Sequence, residues 1–166
     1  MKRLLIILAF SFSIYSVSSQ EMDIKTLDNI FATMSDTIQG QSGRWQFVIE
    51  DVMFICIADT AHNRMRIISP IADANTLDED QKTLSLLANF HTALDVKYAI
   101  SDDVLWSAFI HPLKELTVAQ VKDAVSQVYY ANITFGTTYT STDLVFPGKA
   151  KKEAKQIKKS KFKKKT

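Results

Sequence analysis

Residues 44–71 read as three strand-length runs separated by two short polar breaks, and no other stretch limits the folds open to this chain as tightly. In residues 44–50, Trp45, Phe47 and Ile49 alternate with Gln46, Val48 and Glu50, the period-two pattern of a half-buried strand. Glu50-Asp51 makes a tight connection, and 52–58 is a continuous apolar strand. A polar turn at 59–63 leads into 64–71, where Met65 and Ile67 oppose Arg64, Arg66 and Ile68 until Pro70 closes the run. A second hairpin-sized group follows: a strand at 96–101, a turn at Asp102-Asp103, and a strand at 104–111 ended by Pro112. Neighbours this close pair antiparallel, because a parallel pair needs a crossover of about a dozen residues or more.

Helical patterns flank these groups. Residues 23–38 carry Ile24, Leu27, Ile30, Phe31, Met34 and Ile38 on one helical face, and Gly40, Ser42 and Gly43 end it. Thr76 with Glu79 has capping-box spacing and predicts a helix to about Leu94, with Leu77, Leu84, Leu87, Phe90 and Leu94 near one face. Thr117 with Gln120 is a second such box. It opens a last helix carrying Val118, Val121, Val125, Val128, Tyr129 and Ile133, which runs to about Tyr139 unless Gly136 ends it earlier. Leu144, Val145 and Phe146 read as a short terminal segment or edge strand. The order α-β-β-β-α-β-β-α predicts an α+β fold: an antiparallel sheet of about five strands with helices mainly on one face.

The 166 residues suggest one domain flanked by two segments of different character. Lys2 and Arg3, then a 12-residue run from Leu4 to Tyr15 with only Ser11 and Ser13 polar, then small residues to Ser19, have the order of a secretory signal peptide. The run is too short to span a bilayer, which takes about 20 apolar residues. The expected division is a signal peptide at 1–19 cleaved near Ser19, one α+β domain at 20–148, and a disordered lysine-rich tail at 149–166. The expected location is periplasmic or secreted.

Charge separates the last two parts. Residues 149–166 hold ten Lys and one Glu, a net +9, whereas 20–148 hold eight basic and 17 acidic residues, a net −9. Lys151, Lys152, Lys155, Lys158, Lys159, Lys163, Lys164 and Lys165 are the candidate contacts to an anionic membrane or polysaccharide surface, since each Lys near an anionic bilayer contributes about 1 kcal/mol. A tail folded back on the acidic body, or one that only aids solubility, fits the same charge run. Nucleic acid is not expected as the partner of an exported protein.

Site chemistry is sparse. One Cys excludes a disulfide framework, and Cys56 sits among Phe54, Ile55 and Ile57, the setting of a small buried hydrophobe rather than a nucleophile. His62, His91 and His111 fall at no metal-ligand spacing. No nucleophile elbow or phosphate loop occurs. Asp78-Glu79-Asp80 suits a helix N-terminus, and Asp102-Asp103 suits a hairpin turn. Asn132-Ile133-Thr134 matches a glycosylation sequon but lies in a predicted helix. The expectation is no enzyme, no cofactor and no metal.

The strands at 52–58 and 104–110 remain unexplained by a sheet with one polar face. The first has no polar side chain beyond the thiol. In the second, one parity holds Val104, Trp106, Ala108 and Ile110, and the other Leu105, Ser107 and Phe109. Either parity leaves large apolar groups on the second face, and monomers seldom expose patches beyond a few hundred Å². A second copy, a client segment, or the chain's own helix or C-terminal segment would cover it. Phe54, Cys56, Trp106, Phe109 and Ile110 are the candidate protein-binding or dimer face.

The run Arg66-Ile67-Ile68-Ser69-Pro70-Ile71, then Leu86-Leu87-Ala88-Asn89, Val96-Lys97-Tyr98-Ala99-Ile100, Asp102-Asp103 and Leu116-Thr117 together resemble the type III secretion chaperone-like fold and its relatives, the YbjN-type bacterial sensory-regulator domains. The match covers about 44–130. The resemblance implies a small, often dimeric, non-enzymatic module that binds protein segments along its sheet and helix surfaces.

Overall fold

The computed structural model describes residues 21–41 and 43–142. The expected signal peptide, the segment at 144–146 and the lysine tail lie outside the described residues.

Helix α1 (Ile24–Met34) starts where the Asp23 carboxylate accepts the Thr26 N–H at 2.7 Å. It buries Leu27, Ile30 and Phe31. It ends four residues short of Ile38. Ser35 turns extended, and both its N–H and its hydroxyl donate to the Phe31 carbonyl. Thr37–Gln41 is then β1, a sixth strand where the periodicity predicted helix and turn. Gly40 and Gly43 do not terminate a helix. Both have positive φ in the hairpin that leads into β2 (Arg44–Ile49), and a Cβ on Gly40 would sit 2.3 Å from the Arg44 carbonyl oxygen.

β3 (Val52–Asp59) and β4 (Arg64–Asp73) complete the meander. Pro70 does not close β4, because a bulge between Pro70 and Ala72 absorbs the missing N–H and pairing resumes at Ala72 with Leu105. The next helix starts later than Thr76 with Glu79 would place it. The Thr76 hydroxyl donates to the Asp73 carbonyl in a 3-10 turn, Ala74–Thr76, and the capping box forms between Asp78 and Gln81. Helix α2 (Glu79–His91) follows, then β5 (Lys97–Ser101), β6 (Val104–His111) and α3 (Val118–Ile133). The Thr117–Gln120 box opens α3 as its sequence predicts, and the helix stops before Gly136.

All six strands pair antiparallel in the order β1-β2-β3-β4-β6-β5. The fold is α+β with its helices on one face. Phe31 of α1 stacks on Phe47 at 4.7 Å, and Phe47 on Phe54 at 5.1 Å, a ring column joining helix to sheet. α3 crosses β4 and β6 and is tied to them by polar groups as well as by packing. Ser107 Oγ donates to the Val128 carbonyl at 3.2 Å, and the Asn132 amide donates to Ser69 Oγ and to the Pro70 carbonyl, both at 2.8 Å. An Asn committed in this way is not presented as a glycosylation acceptor. α2 lies against the free edge of β5, where Asn89 bonds both backbone groups of Tyr98.

Candidate protein-binding surfaces

Strand register sorts every sheet residue onto one of two faces. Trp45, Cys56, Ile67 and Phe109 form one cross-strand row, and Phe47 and Phe54 belong to the same side. All six are buried beneath the helices. The opposite side carries three further rows: Arg44–Ile57–Arg66–Ile110, Gln46–Ile55–Ile68–Ala108–Lys97, and Pro70–Trp106–Ala99. Val48 pairs with Met53 on that side as well.

The five residues expected to share one face are therefore divided. Phe54, Cys56 and Phe109 are core residues, and the expectation is corrected for them. Trp106 and Ile110 lie on the helix-free face, Ile110 with 61 % of its surface exposed. The reason is parity: Phe109 and Ile110 are consecutive in one strand and cannot point the same way. Burial also raises the Cys56 thiol far above its ordinary pKa, which leaves it un-ionised and unreactive.

The helix-free face is apolar across its middle. Met53, Ile55, Ile57, Ile68, Trp106 and Ala108 are half-buried by their sheet neighbours and receive no helix among the described residues. The Trp106 indole N–H donates to the Ser101 carbonyl at 3.2 Å, which lays the ring along the sheet.

A second apolar surface was missed in the sequence. The expected inward stripe of α2 included Phe90 and Leu94, but the helix buries Ser85 and Ala88 instead. Leu86 is 70 % exposed, Phe90 86 % and Leu94 55 %. Leu86 and Phe90 are one helical turn apart on the solvent side. Leu94 stands just past the helix end at φ 46°, where a residue with a Cβ is strained and Gly is the cheap choice. A large apolar side chain kept exposed in a strained backbone is a feature folding stability does not explain.

Among the described residues no group of three or more His, Cys, Asp or Glu side chains is placed to hold a metal. Asp78 caps α2 with Glu79 and Asp80 in its first turn, and Asp102-Asp103 forms the β5–β6 turn with both φ positive. No helix among the described residues is long and apolar enough to cross a membrane.

No family model matches the sequence, and no curated protein matches it. Solved structures do share the fold. The Yersinia pestis type III secretion chaperone SycH, seen in complex with a stable fragment of YscM2, superposes with a TM-score of 0.52 at 11% identity, over 68% of this chain and 98% of that one. A chain of the ExsC–ExsE complex gives 0.52 at 9% identity, over 67% of this chain and 92% of that one. A chain of the HopA1–SchA chaperone–effector complex gives 0.49 at 12% identity, over 68% and 96%. The chain thus shares its fold with the type III secretion chaperone SycH and with the chain of the ExsC–ExsE complex, the fold the sequence resemblance implied.

Proposed function

We propose that this protein is an exported, non-enzymatic, chaperone-like module that binds protein segments through the apolar surfaces its fold leaves open. The helix-free sheet face carries this reading: Met53, Ile55, Ile57, Ile68, Trp106 and Ala108 make an apolar middle on a sheet that α1 and α3 cover from the other side. Each Å² of apolar surface covered there contributes about 25 cal/mol, which gives a partner a driving force. The shared fold supports the reading, since SycH was seen bound to a protein fragment. The exposed α2 ridge of Leu86 and Phe90 offers an anchor for a client. Export rests on the tripartite leader, and the non-enzymatic role on the fold shared with SycH.

The test is affinity capture from native extract with the full chain, a copy ending at Gly148, and Trp106→Arg and Phe90→Asp each in the full chain. A small set of proteins held at high salt by the first two and released by Trp106→Arg is the expected result, and release by Phe90→Asp as well adds the α2 ridge to the client surface. Retention only by the tailed chain, lost at high salt, would replace this reading with a second one that the +9 tail favours. In that reading the lysines dock on anionic lipid or polysaccharide, and the body is a carrier.

A further inference from the structure

The exposed ridge of α2 stands beside the point from which the chain continues to its basic segment. Thr92, at the end of α2, fixes that point: its hydroxyl donates to the Tyr139 carbonyl, and its carbonyl accepts the Ser141 N–H at 3.3 Å. The Tyr139 ring meets Tyr98 edge-on at 6.0 Å, and Tyr139, Thr140 and Ser141 are buried. The next large apolar side chains in the sequence are Leu144, Val145 and Phe146. A chain spans at most about 3.5 Å per residue, so Leu144 lies within about 11 Å of Ser141 and Phe146 within about 18 Å. Along the α2 axis Phe90 is about 3 Å from Thr92, and Leu86 about 9 Å. These two are more exposed than any other large apolar side chain among the described residues.

Beyond Leu86 the surface turns acidic. Residues 78–103 hold six acidic residues and two lysines, a net −4. Glu79 sits about 11 Å past Leu86 along the helix. Asp102 and Asp103 form the exposed turn at the end of β5, the strand that α2 lies against. That turn is tied to the approach to α2, because the Ala74 N–H donates to the Asp103 carbonyl at 2.8 Å. Leading away from Thr92, the surface is therefore apolar and then acidic. Leading away from Ser141, the sequence is apolar at 144–146 and then, past the turn pair Pro147-Gly148, carries the ten lysines of 149–166.

We propose that the chain's own residues 144–146 pack on Leu86 and Phe90, and that the lysines after Gly148 lie against Glu79, Asp102 and Asp103. The two orders match, and the tether favours this occupant over a separate molecule. A segment joined to a fixed turn by a few residues meets the ridge at an effective concentration of about a millimolar or more. The inference rests on the protein-binding reading in one respect: a client that takes the α2 ridge must first displace this segment.

The test is disulfide trapping in the full chain, where the buried Cys56 does not compete. Thr83→Cys/Gly148→Cys places one thiol on the exposed side of α2, a turn before Leu86, and the other just past Phe146. Arg66→Cys/Gly148→Cys is the control, its first thiol on the helix-free face. Circular dichroism confirms the fold of each variant. The first pair is expected to close within one chain about tenfold faster than the control, at a rate independent of protein concentration. Phe90→Asp added to that pair is expected to slow closure at any salt. Lys151→Glu/Lys152→Glu/Lys155→Glu is expected to slow it at low salt, where the charges are least screened.

Equal rates for the two pairs, a bridge that forms only between chains, or closure untouched by Phe90→Asp or by the lysine changes overturns the inference. Capture from native extract by the bridged and reduced forms separates the two ideas. Clients lost on bridging and regained on reduction support the displacement, and equal capture by both forms overturns it. A bridge that closes as expected in a chain that captures nothing in either form defeats the protein-binding reading and leaves the covering segment standing.

Discussion

Asn89 of α2 completes the hydrogen bonding of Tyr98 in β5. Its side-chain oxygen accepts the Tyr98 N–H at 2.7 Å, and its amide donates to the Tyr98 carbonyl at 3.1 Å. β5 is an edge strand, so without this pair its outer backbone groups would have no partner from the sheet. Asn89→Ala removes both bonds at a half-buried position. The expected cost is about 1–3 kcal/mol, read as a lower urea midpoint with an unchanged slope.

Cys56 reports on the core without disturbing it. The thiol is fully buried in a row with Trp45 and Ile67, and burial holds it protonated. A thiol reagent at pH 8 is expected to leave the native chain unlabelled and to label it fully in denaturant. Fast native labelling would place Cys56 on an accessible surface and remove it from the core.

The β2–β3 and β5–β6 hairpins and the start of the last helix were legible because their signals are local. Two-residue polar breaks force antiparallel neighbours, and Thr117 and Gln120 satisfy each other's backbone donors wherever they meet. The errors fall where two local signals compete. Ile38 continues the α1 periodicity, yet Ser35 bonds Phe31 and the chain leaves the helix. Thr76 has a Glu three residues on, yet its hydroxyl is taken by Asp73. The candidate face was half legible: Trp106 and Ile110 share a parity visible in the sequence, but only the placement of α3 over Ser107 decides which parity is covered. The α2 ridge was illegible for a different reason. Leu and Phe at helical spacing read as core, and nothing local reveals that Ser85 and Ala88 face inward.

Alkaline stability has a definite sign. The Tyr129 hydroxyl donates to the Glu50 carboxylate, and that bond, then the mild burial and the nearby negative charges, push its pKa up to about 12. A pKa raised in the folded state contributes stability that is whole below pH 10 and is lost as pH rises through about 12. Tyr129→Phe is expected to flatten the fall in Tm between pH 10 and pH 12 while lowering Tm slightly at pH 8. Because the group is largely solvated the effect is small, and parallel curves for the two proteins would refute the link.

Leu94 joins stability to the proposed activity. Its φ of 46° lies in the left-handed region, which costs a residue with a Cβ about 1–2 kcal/mol, and its side chain is more than half exposed and recovers little of that by burial. Leu94→Gly is therefore expected to raise stability by about 0.5–1 kcal/mol, an outcome opposite to most apolar-to-glycine changes. If Leu94 extends the surface formed by Leu86 and Phe90, the same variant loses client capture while gaining Tm. A stabilised variant that captures clients as well as wild type would assign the strain to the loop alone and confine the client surface to α2. Opposed effects on Tm and capture at a single residue separate a binding role from a folding role, because a side chain retained only for the fold does not make the protein more stable when it is removed.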